Sequence, residues 1–269
     1  MWNENRKETS MATISLCMIV KNEEAILARC LDSIADLMDE IIIVDTGSTD
    51  RTREIASHYT DQIYDFPWNN DFSAARNFSF SKAQMEYIYA ADADEVLDSF
   101  NRERFARLKE VLLPEIEIVQ MKYATETAFD TVLNTQKEYR PKLFKRLRTF
   151  TWVDPIHETV RLNPVIFDSD IEILHKPQAL HSKRDFSIFV NAFRHDGKFS
   201  PKIRNMYARE LLKTGDSKDF ADAKNVFLSI LNNDPSEDAS KEASCVLAHA
   251  YRLEDNKNEF FKLTMKDML

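Results

Sequence analysis

Tyr87-Ile88-Tyr89-Ala90-Ala91-Asp92-Ala93-Asp94-Glu95-Val96-Leu97-Asp98 is the stretch on which the fold of this chain turns. Its first five residues are aromatic, β-branched or small and are flanked by charge, which predicts a buried strand over 87–91. That strand delivers Asp92 and Asp94, with Glu95 beside them, at its carboxyl end, where open α/β sheets bind their ligands. Carboxylates one residue apart repel each other unless cations neutralise them. Hard divalent ions such as Mg²⁺ or Mn²⁺ take carboxylate oxygens and keep positions open for phosphate oxygens. The strand end is therefore a candidate metal–diphosphate site, although an isolated Asp-x-Asp is also what a solvated turn contains.

Upstream, residues 14–20 (Ile-Ser-Leu-Cys-Met-Ile-Val) read as another buried strand. Lys21-Asn22-Glu23-Glu24 follows, with Asn22 as the expected N-cap and two acids to meet the helix dipole. Ile26, Leu27, Cys30, Leu31, Ile34 and Leu37 then fall on one helical face. Residues 40–44 form a second buried strand that ends in Asp45-Thr46-Gly47-Ser48-Thr49-Asp50, and a helix runs from there to about residue 58. Residues 62–66 read as a third strand, leading through Trp68-Asn69-Asn70 into a helix opened by Asp71-Phe72-Ser73-Ala74-Ala75-Arg76-Asn77. This alternation predicts an α/β fold with a mostly parallel, doubly wound central sheet. Three of its strand ends carry polar or acidic clusters. Caps and turns favour the same residue types, but their repetition at one end of one sheet favours a site.

Composition narrows the function. Of 269 residues, 43% are hydrophobic, as in an ordinary globular protein, and the net charge is -9. That balance argues against nucleic acid or an anionic membrane as the main partner. Three glycines, Gly47, Gly197 and Gly215, exclude a glycine-rich phosphate loop. Three scattered cysteines show neither zinc spacing nor a disulfide framework, which fits a reducing compartment. With no signal-like segment or membrane-length apolar run, the expectation is a cytoplasmic protein with residues 1–11 as a disordered lead-in.

Taken in order, residues 14–24, 44–52, 68–77 and 91–95 resemble family 2 of the inverting nucleotide-sugar glycosyltransferases, and the resemblance covers roughly residues 12–180. The Asp71-Phe72-Ser73-Ala74-Ala75-Arg76-Asn77 segment is similar to one branch, in which helical, repeat-like segments follow the catalytic domain. That branch includes the peptide S-glycosyltransferases that modify cysteine in bacteriocins. The resemblance implies a Rossmann-like GT-A domain over 12–183 and a small α-helical, tetratricopeptide-like region over 184–269. It implies transfer of a hexose from a UDP-sugar with inversion, assisted by Mg²⁺ or Mn²⁺, to a peptide side chain or a saccharide. Position by position, it places Asp45 on the nucleoside and Arg76 on the base or phosphates, with Asp71 shaping that pocket. Asp92 would hold the ribose and Asp94 the metal that bridges the diphosphate. Ile19 and Val20 would floor the base, and Asn22, Glu23 and Ala93 would also line the donor site.

Downstream, residues 115–123 predict a strand and 125–137 a polar loop near the acceptor. Residues 139–148 (Tyr-Arg-Pro-Lys-Leu-Phe-Lys-Arg-Leu-Arg) read as an exposed strand with one polar face; Arg140 is a candidate helper at the diphosphate. An inverting transfer needs one base to deprotonate the acceptor. Glu158 is preferred for that role, with His157 and Asp154 as alternatives. His175, after a strand over 171–174, is either a further metal ligand, beside Asp94 and Asp92, or a structural histidine.

From about residue 184 the pattern is helical. Phe186, Phe189, Val190 and Phe193 suit one face, and Tyr207, Ala208, Leu211 and Leu212 precede a stop at Gly215. Further helices end before Asp234-Pro235 and near Leu253. About two repeat-like pairs fit, fewer than the three usually needed to stand alone, so they should pack on the catalytic domain or on a second copy in a homodimer. Two other functions compete. Asp92-Ala93-Asp94-Glu95-Val96 fits the Asp-x-Asp-x-Val pattern of haloacid-dehalogenase-like phosphohydrolases, though it follows two strand–helix units instead of opening the fold. A non-catalytic scaffold that binds protein through the helical region is the third reading.

Overall fold

Strand β1 (Ile14–Val20) is an apolar run because both of its faces are covered; every residue but Ile19 is buried. The computed structural model describes residues 11–125, 138–146, 152–153, 159–160, 164–176 and 182–265. After β1 come α1 (Leu27–Ile34), β2 (Glu40–Asp45), α2 (Thr52–Ala56), β3 (Ile63–Asp65), α3 (Phe72–Phe80), β4 (Tyr87–Ala91), β5 (Glu95–Val96) and α4 (Ser99–Val111). Then follow β6 (Ile118–Thr125), β7 (Glu138–Lys145), a short ribbon of β8 (Trp152–Val153) and β9 (Thr159–Val160), and β10 (Ile166–His175). Eight strands make one sheet in the order β3-β2-β1-β4-β7-β6-β10-β5. The pairs β3–β2, β2–β1, β1–β4 and β6–β10 are parallel. Strand β7 runs antiparallel to both β4 and β6, and β5 antiparallel to β10.

Two-residue alternation sorts side chains to the two faces. On one face Leu16, Met18, Tyr87, Tyr89, Val119, Met121 and Ile171 pack with Leu27, Leu31 and Phe105 from α1 and α4. On the other, Cys17, Ile42, Val44 and Ile88 pack against Phe78 and Phe80 of α3. The amino ends of the strands are tied by Glu40. Its carboxylate accepts from Ser15 Oγ at 2.5 Å, Gln84 N at 2.8 Å and Gln62 Nε2 at 3.2 Å. With polar needs met there, the acidic clusters are left to the opposite, carboxyl ends.

Two sequence readings are corrected. The strand expected over 139–148 is not exposed where it is described: β7 lies between β4 and β6, with Leu143 and Phe144 fully buried and Lys142 7% exposed, and residues 147–148 lie outside the described residues. Asn22 caps no helix; α1 begins at Leu27 after a turn, and Asn22 sits at φ 55 with its Oδ1 accepting from Thr49 N at 2.8 Å.

The chain divides into two compact units, the sheet with α1–α4 and a helical unit. The second comprises α5 (Ser182–Asp196), α6 (Pro201–Thr214), α7 (Ser217–Asn233), α8 (Glu237–Leu253) and α9 (Lys257–Met265). Its helices start on designed-looking caps: Ser200 before Pro201, Asp216 in a reciprocal box with Asp219, and Ser236. Tyr207 anchors the core, stacked on Phe189 at 4.6 Å and beside Phe227 at 5.3 Å. Arg204, 4% exposed, joins the end of α7 to α8 through Asp234 at 2.8 Å and Glu242 at 2.6 Å. No helix among the described residues is long and apolar enough to cross a membrane.

Gly215 ends α6 for a reason other than a left-handed turn. Its φ is -69, but an added Cβ would stand 2.6 Å from the Leu211 carbonyl oxygen, a backbone atom that cannot swing aside. Gly215→Ala is expected to destabilise the helical unit by about 2 kcal/mol, read as a lower urea midpoint in circular dichroism, while the sheet unit is unchanged.

Candidate donor-binding site

The strand ends of β1, β2 and β4 converge on two polar clusters, one built around Asp45 and one around Asp92. In the first, Asp45 is 2% exposed. Its Oδ1 accepts from Gly47 N at 3.1 Å and Ser48 N at 2.8 Å, and its Oδ2 pairs with Arg53 at 3.3 Å. Gly47 takes φ 102 to make this turn, a conformation that L side chains rarely adopt. The loop after β1 is laced to it: Ser48 Oγ accepts from Asn22 N at 3.0 Å, and Thr52 Oγ1 from Glu23 N at 2.7 Å. Val20 is buried and Ile19 half-buried at the base of these loops. Asp45, Asn22 and Glu23 thus spend their described bonds on shaping the loops.

The second cluster lies at the end of β4. Asp71 caps α3, its Oδ1 accepting from Ala74 N at 3.0 Å, and this helix carries Arg76 inward. Arg76, 8% exposed, reaches Asp92 Oδ1 at 3.4 Å. Burial would raise the Asp92 pKa, but Arg76, Lys142 and Arg140 outweigh it and hold the carboxyl down at about 2. Half of the Asp92 side chain nevertheless faces solvent, 49%. Asp92 is thus crowded by protein cations yet open to a ligand from solvent. Ala93 beside it is buried.

Asp94 is placed by pairing of β5 with the end of β10, where His175 stands opposite Glu95. Lys176 N donates to the Asp94 carbonyl at 2.8 Å, and His175 Nε2 lies 2.9 Å from Asp94 Oδ2. The other carboxylate oxygen, Oδ1, is buried and has no hydrogen-bond partner among the described residues. Leaving such an oxygen unmatched is costly, so its lone pairs suit a cation brought with the ligand. No group of three or more His, Cys, Asp or Glu side chains is gathered for a metal among the described residues. The expected trio of Asp92, Asp94 and His175 is therefore not assembled as a cage, because Asp92 is turned to Arg76. Mg²⁺-type sites need no cage, since one or two carboxylates and the substrate's phosphates suffice.

Two residues that the sequence reading passed over complete the cluster. Lys142 of β7, 7% exposed, pairs with Glu95, 2% exposed, whose other oxygen accepts from Asp92 N at 3.3 Å. Burial raises the Glu95 pKa and Lys142 opposes the rise. Tyr123 of β6 lies under the Arg140 guanidinium at 3.8 Å. The signal for Lys142 was the two-residue spacing Arg140-x-Lys142, which puts both cations on one face of a strand. Asp154, His157 and Glu158 lie outside the described residues.

The comparisons with known proteins agree with this architecture. The family model described as glycosyl transferase family 2 matches residues 15–172. A TPR repeat-containing protein of Synechococcus elongatus is 48% identical over 88 residues, covering 33% of this chain and 22% of that protein. The SPbeta prophage-derived glycosyltransferase SunS of Bacillus subtilis is 33% identical over 143 residues, 50% of this chain and 32% of that protein. The chain thus spans about a fifth to a third of the length of these curated relatives. Among solved structures, glucosyl-3-phosphoglycerate synthase from Mycobacterium tuberculosis, in complex with Mn²⁺, UDP-glucose and phosphoglyceric acid, aligns with a TM-score of 0.51. It is 19% identical, and the alignment covers 71% of this chain and 82% of that one, a likeness of fold. The sheet unit has the GT-A glycosyltransferase fold, with the helical region following it. With more than half of its length matched by one family model, the chain belongs to glycosyl transferase family 2.

Proposed function

We propose that this protein transfers a hexose from a UDP-sugar to an acceptor nucleophile with inversion, in a reaction assisted by Mn²⁺ or Mg²⁺. The observation that carries the reading is the buried Asp94 Oδ1, without a hydrogen-bond partner among the described residues, beside His175 and two residues from an Asp92 held ionised by three cations. A divalent cation at Asp94 and His175 would stabilise the negative charge of the departing diphosphate. Arg76 and Asp92 would bind and orient the ribose and phosphates, with Arg140 supplying further positive charge. Asp45 and the loops after β1 and β2 would take the base over Ile19 and Val20. The acceptor's proton would go to Glu158, or else to His157 or Asp154, on the strength of the sequence alone. The peptide-cysteine or peptide-serine and saccharide acceptors both belong to this reading, and the resemblance of residues 71–77 to the peptide-modifying branch puts peptides first for testing. We read α5–α9 as tetratricopeptide-like hairpins that recognise the acceptor or a partner, a reading supported by the capped starts of α6, α7 and α8.

The test is UDP release from UDP-glucose, UDP-N-acetylglucosamine and UDP-galactose, with and without Mn²⁺. UDP release that EDTA abolishes and Mn²⁺ restores is expected with at least one donor. Phosphate release from p-nitrophenyl phosphate, with no UDP from any donor, would favour the phosphohydrolase instead.

The Lys142–Glu95 pair makes a second prediction. Lys142→Met strands a buried carboxylate and should cost about 3–5 kcal/mol at pH 7. Glu95 has a folded pKa above its unfolded one, so the native state takes up its proton more readily and the cost of its charge is relieved as pH falls. Without Lys142 the rise is larger, so urea denaturation should show the deficit of Lys142→Met narrowing from pH 7 to pH 5. The double variant Lys142→Met/Glu95→Gln should recover most of the loss. A pH-independent deficit would contradict this.

A further inference from the structure

Tyr123, near the end of β6 and 4% exposed, has three basic side chains around its ring. The Arg140 guanidinium lies 3.8 Å from the ring centroid, the Lys142 ammonium 5.5 Å, and the His175 ring 5.1 Å at a tilt of 34°. These groups come from β7 and β10, the two strands that flank β6 in the sheet. Arg140 and Lys142 both depress the pKa of Asp92, and His175 holds Asp94 Oδ2. The ring therefore touches the cationic side of the cluster and its metal side at once. Burial pushes the Tyr123 phenol far above its ordinary value, so the cations meet a neutral ring face.

A cation over a desolvated aromatic face is held more firmly than one at the surface. For arginine the plane matters as well as the charge, because its donors form a rigid fork that meets phosphate oxygens two at a time. Arg140 also pairs with Glu138 of its own strand at 2.8 Å. Glu138 Oε1 meets the Nε–Nη2 edge of the fork, at 2.9 and 2.8 Å, and the Tyr123 ring lies against its face.

We propose that Tyr123 is a positioning residue for the donor diphosphate, its ring being the shared platform that orients Arg140 on the cationic side and His175 on the metal side. This rests on the reading of the cluster as a UDP-sugar site. The aromatic ring is the working part, and the hydroxyl is dispensable.

The experiment is titration of Mn²⁺ alone and of UDP with Mn²⁺ into wild type, Tyr123→Phe, Tyr123→Leu, Arg140→Met and Tyr123→Leu/Arg140→Met, with thermal unfolding of each. Tyr123→Phe should stay within about threefold of wild type for both ligands, since the ring face remains. Tyr123→Leu and Arg140→Met should each weaken UDP with Mn²⁺ by about tenfold, and the double variant should be no more than about twofold worse than the weaker single, the mark of residues acting as one unit. Mn²⁺ alone should weaken in Tyr123→Leu but not in Arg140→Met, with the thermal midpoint of each close to that of wild type, which separates the platform from general loosening of the fold. Should Tyr123→Leu fail to fold, Tyr123→Met, a ring-free side chain that adapts to its surroundings, carries the same expectations. Wild-type-like binding by the ring-free variants, fully additive losses, or failure of phenylalanine to preserve binding would each overturn the platform while leaving the donor site in place. A wild type that binds neither UDP nor Mn²⁺ would overturn the donor-site reading and the platform with it.

Discussion

Three carboxylates within four residues, Asp92, Asp94 and Glu95, must be neutralised in a single turn at the end of β4, and much of the sheet unit is arranged around that constraint. Each is met differently. Glu95 is buried and is matched by Lys142 from the neighbouring strand. Asp92 lies open to solvent and is held ionised by Arg76 from α3, with Lys142 and Arg140 adding to the field. Asp94 has one oxygen on His175 and one buried with no partner among the described residues. Charge matching thus uses permanent protein cations for two of the three acids. In the proposed reading the third takes a cation that arrives with the ligand.

The antiparallel insertion of β7 makes this possible. A purely parallel sheet would present only strand ends to the cleft, with apolar runs behind them. By running between β4 and β6 in the opposite sense, β7 places Arg140 and Lys142 near the carboxyl end of β4, while Leu143 and Phe144 continue into the core. Strand β10 then returns parallel to β6 and ends at His175, and the short β5 pairs back onto it. Strands β4, β7, β10 and β5 therefore bring their acidic and basic groups to one place, with Tyr123 of the intervening β6 in contact with three of the basic ones.

The parallel half of the fold was legible because its strands are buried on both faces and so read as apolar runs. Residues 14–20 and 87–91 match β1 and β4 residue for residue. The helical region was legible for a related reason: apolar residues recur at helical spacing between cap residues and Gly or Pro stops. Strand β7 misled because its alternate residues are charged, and charge usually means solvent; here the charge answers acids on an adjacent strand, a pairing no local pattern records. Helix α4 went unread because its core contacts rest on a few residues such as Phe105 and Leu108 amid charged ones. Asn22 has a capping residue's chemistry, but its left-handed backbone turns that chemistry toward Thr49 in the next loop. In the candidate site, the acids were visible as a motif, whereas Lys142 and Tyr123 became visible only when strand order brought them beside it.

The most direct test of the central claim is calorimetric titration of UDP into wild type and Asp94→Asn, with and without Mn²⁺. The account predicts Mn²⁺-dependent UDP binding in wild type and a loss of about tenfold in Asp94→Asn, about 1.4 kcal/mol, confined to the titrations that contain Mn²⁺. Tight UDP binding that ignores both Mn²⁺ and the substitution would contradict the role given to Asp94, and no UDP binding in any condition would contradict the donor site itself.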